Sequence, residues 1–102
     1  SILEARGYRV LIAEDGLAAL DLLHREPVDL VVADIQMPRL DGFGLLRALK
    51  ADPALAGLPV VLVTSMAEDA DRERGLDLGA EAYIVKQRFD QRDLLDAIGQ
   101  LL

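Results

Sequence analysis

Val28-Asp29-Leu30-Val31-Val32-Ala33-Asp34-Ile35-Gln36-Met37-Pro38-Arg39-Leu40-Asp41-Gly42-Phe43 is the stretch on which the reading of this chain turns. From Leu30 to Ala33 it is apolar and rich in β-branched residues, the pattern of a strand buried on both faces. The run stops at one carboxylate, Asp34, and a loop containing Pro38 and Gly42 follows. In open α/β sheets the reacting groups sit beyond the carboxyl ends of the strands, where backbone amides point outward and loops are free to vary. Asp34 is therefore either a reacting carboxylate or a turn residue of the kind short loops use.

Working outward, residues 1–6 read as the last turns of a helix stopped by Gly7, and residues 8–13 as a strand. Asp15 offers an N-cap to a helix over residues 17–25, which places Leu17, Leu20 and Leu23 on one face and ends before Pro27. On the other side, Asp41-Gly42 opens a helix carrying Phe43, Leu46 and Leu49 as far as the Asp52-Pro53 break. Residues 59–63 form a second buried strand ending at Thr64-Ser65, and a charged helix over residues 67–78 stops at Gly79. The last strand spans residues 82–85 and delivers Lys86; Asp90 caps a final helix with Leu94, Leu95, Ile98 and Leu101 toward the core. Four strands alternating with helices imply a parallel sheet covered on both sides, an α/β doubly wound arrangement.

At 102 residues, 52% of them hydrophobic, the chain has apolar surface for one core, so residues 1–102 are read as one domain. It has no cysteine, which excludes disulfides and thiolate metal sites. Eleven basic against eighteen acidic side chains give a formal charge of −7, which argues against direct binding of nucleic acid. No apolar run approaches the roughly 20 residues of a membrane span. The expectation is a soluble, cytoplasmic domain.

Right-handed crossovers place successive strands side by side, so Asp34, Thr64 and Lys86 converge on one rim. A carboxylate, a hydroxyl and an ammonium can accept, hydrogen-bond and neutralise a phosphoryl group, whose transfer depends mainly on positioning and charge compensation. The run Asp34-Ile35-Gln36-Met37-Pro38-Arg39-Leu40-Asp41-Gly42 closely resembles the phosphoacceptor loop of bacterial response regulator receiver domains, with Leu40 where Met is commoner. The spacings from Asp34 to Thr64 and Lys86 agree with that family, and Tyr83 falls on its switch aromatic.

The resemblance implies a flavodoxin-like sheet of order 2-1-3-4-5. It implies Asp34 as phosphoacceptor, taking the group from the phosphohistidine domain of a histidine kinase, with Thr64 and Lys86 on phosphoryl oxygens. It implies Mg²⁺ on Asp34 and the backbone carbonyl of Gln36, Thr64 and Tyr83 as the switch, and a downstream effector as partner. Such a domain is no enzyme beyond handling its own phosphoryl group.

Departures from the family set further expectations. The family's first strand, with its acidic pair for Mg²⁺, and most of its first helix have no counterpart here; Glu14 and Asp15 match a later turn and do not replace that pair. The isolated chain is therefore expected not to form a stable monomer. Gln87 stands where Pro is usual, which predicts a trans Lys86-Gln87 bond and a different loop path over residues 87–89. The stretch from Tyr83 to Gln91 resembles the carboxyl-terminal receiver of chemotaxis-type hybrid histidine kinases. An aspartyl phosphohydrolase would want an acid where Gln36 stands, and a flavin module is disfavoured by the Asp34, Thr64 and Lys86 triplet. The main alternative is a receiver-like interaction module that is not phosphorylated.

Overall fold

The structure, a computed structural model, describes residues 2–9, 11–86 and 91–102. Strands β1 (Val31–Ala33), β2 (Val60–Thr64) and β3 (Ala82–Val85) form a parallel sheet in that order. Val31 stands opposite Val60, Leu62 opposite both Ala33 and Tyr83, and Thr64 opposite Val85. Helices α1 (Ile2–Ala5), α2 (Gly16–Arg25), α3 (Gly42–Ala51), α4 (Asp69–Asp77) and α5 (Gln91–Leu101) complete the chain. The alternation from β1 to α5 is the expected flavodoxin-like α/β arrangement.

The core is built where the apolar pattern is densest. In β2, Val60, Val61 and Leu62 are fully buried, as expected of a strand with a neighbour on each edge. Phe43, Leu46 and Leu49 of α3 pack against this sheet, and Leu45 widens the buried face. Asp41 caps α3 by accepting the Gly44 N–H at 2.8 Å, while Gly79 ends the segment after α4 with φ 108°. At the amino end of the sheet, Glu81 accepts the Val60 N–H at 2.6 Å and pairs with Lys50 of α3.

Three expectations change. Residues 8–13 do not form a fourth strand: Tyr8, Arg9 and residues 11–13 join no ladder, and Val10 lies outside the described residues. A cleft of about 580 Å³, lined among others by Leu11, Ile12, Leu30 and Val32, lies between this segment and β1. The 2-1-3-4-5 order would put a strand there, and none stands there among the described residues, so the alternation in sequence has no backbone partner to hold it. Ile12 is left 83% exposed. Leu17 is also exposed, because the first turn of α2 is seated through Gly16 on the Leu40 backbone; Leu20 and Leu23 do reach the core. In α5 only Ile98 is buried among its described side chains, with Leu94, Leu95 and Leu101 half-buried. The Asp90 cap, the Lys86-Gln87 bond and the loop over residues 87–89 lie outside the described residues.

His24 of α2 reaches Asp52 at the end of α3, Nε2 to Oδ2, at 2.8 Å. This hydrogen bond raises the His24 pKa above its ordinary 6.5; His24 in turn, with the Ala54 amide, lowers that of Asp52 below 3.8. A raised imidazole stabilises the fold below its unfolded pKa and loses that contribution as pH rises through the folded one; a lowered carboxylate does so above its unfolded pKa. The pair therefore contributes most between about pH 4 and 6.5. Thermal melts of wild type and His24→Gln across pH should show the widest separation in that window and a narrowing as pH rises above it.

Candidate functional site at the carboxyl rim of the sheet

Parallel pairing brings the carboxyl ends of all three strands to one edge. Asp34 follows β1, Thr64 ends β2, and Lys86 follows β3. Across this rim Lys86 Nζ donates to Asp34 Oδ2 at 2.5 Å, with the two side chains 49% and 30% exposed, so the pair is open to a reagent from solvent. Burial alone would raise the Asp34 pKa, but the Lys86 ammonium and the Gln36 and Ile35 amides outweigh it and hold the carboxyl below its ordinary 3.8. Asp34 is thus an ionised, partly exposed carboxylate with a cation already on it.

The loop after Asp34 is wound tightly. The Gln36 N–H donates to Asp34 Oδ1 at 3.1 Å, and the Met37 and Gly42 amides both donate to the Ile35 carbonyl, at 3.0 and 2.8 Å. Gly42 is required by this closure, since a Cβ there would lie 2.5 Å from the Asp34 carbonyl oxygen and 2.7 Å from Ile35 Cα. From the neighbouring strand end, Ser65 Oγ donates to Gln36 Oε1 at 2.9 Å, tying the two loops across the rim.

Thr64 is fully buried, and its Oγ1 accepts the Met66 N–H at 3.2 Å. Tyr83 is 5% exposed, and its hydroxyl donates to the Met66 carbonyl at 2.8 Å. Both side chains thus hold one residue of the loop that leads into α4. That helix meets the core through Gly75, where a Cβ would come within 3.0 Å of Leu62 and Tyr83. Beside the rim, an open cleft of about 440 Å³ is lined by Gln36, Met37, Phe43, Met66 and Arg74, with the Arg74 guanidinium 4.2 Å from the centre of the Phe43 ring.

The family model for the response regulator receiver domain matches residues 1–99. The chain belongs to the receiver family. This receiver is 43% identical over 101 residues to a gliding motility regulatory protein of Myxococcus xanthus, covering 99% of the chain but 13% of that protein. It is 44% identical over 97 residues to a protein of Guillardia theta named a probable transcriptional regulator, covering 91% of the chain and 37% of that protein. The receiver therefore spans less than half the length of either relative. Among solved structures it matches the receiver domain of a signal transduction histidine kinase from Syntrophus aciditrophicus, with TM-score 0.89, 35% identity and coverage of 99% of this chain and 76% of that one. It also matches the receiver domain of a sensor histidine kinase from Pseudomonas aeruginosa, solved with magnesium in its active site cleft, with TM-score 0.86, 29% identity and coverage of 98% and 81%.

Receiver domains generally bind Mg²⁺, and a hard cation of this kind takes a few protein oxygens, water and phosphate. Asp34 and the Gln36 main chain supply two oxygens of suitable type. No group of three or more His, Asp or Glu side chains that would hold a metal ion occurs among the described residues, so the donor set is partial. Among the described residues no helix is long and apolar enough to cross a membrane.

Sequence reasoning singled out Asp34, Thr64, Lys86, Gln36 and Tyr83 as candidates, and the structure brings Asp34, Lys86 and Gln36 into direct contact, with Thr64 and Tyr83 meeting at Met66. It missed Arg39, which pairs with Asp15, and the Ser65 bridge to Gln36. The hydroxyl at Ser65 was visible; its partner was not, because the register of two loops decides it. Gly42→Ala is expected to lower the unfolding free energy by about 1 to 3 kcal/mol in urea titrations. Gly57→Ala, where a Cβ meets nothing within 4 Å, serves as the control and should stay close to wild type.

Proposed function

We propose that this receiver takes a phosphoryl group onto Asp34 from the phosphohistidine of a histidine kinase. The observation that carries the proposal is the Lys86 ammonium seated on the Asp34 carboxylate across the rim. In the transfer an Asp34 oxygen attacks phosphorus in line, the bond to the donor imidazole nitrogen breaks, and the imidazole leaves. Lys86 compensates the charge on the phosphoryl oxygens. Thr64 uses its hydroxyl as acceptor toward Met66, so its hydrogen is not consumed by that bond and is available to a phosphoryl oxygen.

Mg²⁺ held by Asp34 and the Gln36 carbonyl would add Lewis-acid compensation at the same oxygens. When Thr64 turns toward the phosphoryl group it gives up its bond to Met66, and the Tyr83 bond to the Met66 carbonyl is perturbed with it. The result is a shift between two arrangements of the loop and α4, read by a downstream effector. The small share of the Myxococcus relative covered, and the likeness to receivers of two histidine kinases, support a place within a larger hybrid kinase.

The test is incubation of the full-length protein with acetyl phosphate and Mg²⁺, reading intact mass for wild type and Asp34→Asn. One phosphate is expected on wild type and none on the variant, and Lys86→Ala should react at least tenfold or so more slowly. Equal incorporation in wild type and Asp34→Asn would leave an interaction module that is not phosphorylated at this site.

A further inference from the structure

One carboxylate does two jobs beside the rim. Asp15 caps α2 by accepting the Ala18 N–H at 2.8 Å, and it also receives the Arg39 fork, Nε to Oδ2 and Nη2 to Oδ1, each at 2.9 Å. The Ala18 amide and then the Arg39 guanidinium hold its pKa below the ordinary carboxylate value, so it stays charged. A bidentate fork fixes direction as well as distance.

Arg39 needs that fixing. Among the described residues it alone, apart from glycines, has a positive φ, at 67°. A β-carbon makes that backbone costly for an L residue, and such a residue persists where its surroundings over-determine it. The surroundings here are Asp15 and the adjoining close approach of Gly16 to Leu40, where a Cβ would lie 2.7 Å from Leu40 Cβ. The start of α2 and the loop after Asp34 are thereby pinned at two consecutive residues on each side. Three residues back from Arg39 is Gln36, whose amide is bonded to Asp34 Oδ1.

Resting on the reading of Asp34 as phosphoacceptor, we propose that the Asp15–Arg39 ion pair positions this loop for phosphoryl transfer, keeping the Gln36 amide on Asp34 so that the carboxylate faces the donor in one orientation against Lys86. Arg39 touches neither the donor nor Asp34; it acts through the backbone between them.

The experiment follows phosphorylation of the full-length protein by acetyl phosphate at saturating Mg²⁺, by intact mass, over a range of donor concentrations. In this reaction the Asp34 oxygen forms a bond to phosphorus and acetate leaves. Arg39→Gly tolerates the positive φ but removes the fork, and Asp15→Asn keeps an acceptor for the Ala18 amide but removes the charge. Both should lower the maximal rate about tenfold, the scale of loss on removing an outer partner of a site, with little change in the half-saturating donor concentration. Arg39→Lys should restore part of the rate. Amide exchange at Gln36, followed by NMR without phosphate, should quicken in Arg39→Gly.

An unchanged maximal rate, or a loss that merely tracks a fall in melting temperature, overturns the proposal. So does unchanged exchange at Gln36. A wild type that takes no phosphate at all overturns the phosphoacceptor reading instead, and the Gln36 exchange then decides alone whether the pair holds the loop.

Discussion

Strand β2 is paired along both edges, and everything at the rim depends on that pairing. In a parallel sheet with neighbours on each side, a shift of one residue would turn every buried side chain to the opposite face. Val60 and Leu62 lie on one face of β2 and Val61 on the other, all buried, and the ladders to β1 and β3 fix the ends of both strands relative to Thr64. The contact of Lys86 with Asp34 across an intervening strand follows from register, and no local sequence feature at either residue would produce it.

Elements whose partners lie inside the chain were legible in the sequence. The helix over α3 announced itself by Asp41 and by the spacing of Phe43, Leu46 and Leu49, because capping and packing both act on it locally. Strands β2 and β3 were legible for the same reason: β2 is buried between β1 and β3, and β3 pairs along β2 with Tyr83 buried. Residues 8–13 carry an equally good strand pattern, yet alternation states only which face is apolar and says nothing of what supplies the ladder.

The candidate site divides along the same line. Asp34, Thr64 and Lys86 were legible because strand ends are predictable places. Arg39 was not, since neither its positive φ nor its reach back to Asp15 leaves a mark on the residues around it. The partner of His24 was equally hidden: Asp52 is distant in sequence and is brought close by the packing of α2 on α3. Asp15 shows that a correct local assignment can be incomplete, for it is the expected N-cap and a second contact besides.

Helix α4 is held to the sheet by a patch without a side chain. Its buried residue is Gly75, while Asp69, Glu73 and Asp77 are exposed, and Arg72 and Arg74 reach back to the Tyr83 carbonyl and the Phe43 ring. Substitutions at Asp69, Glu73 and Asp77 therefore leave the hydrophobic interior untouched, whereas a side chain at position 75 would press on Leu62 and Tyr83, which would have to give way. The acidic outer face of α4 at Asp69, Glu73 and Asp77 is insulated from the core. Its charges can change without disturbing the packing, while the glycine beneath them keeps the helix close to the tyrosine it covers.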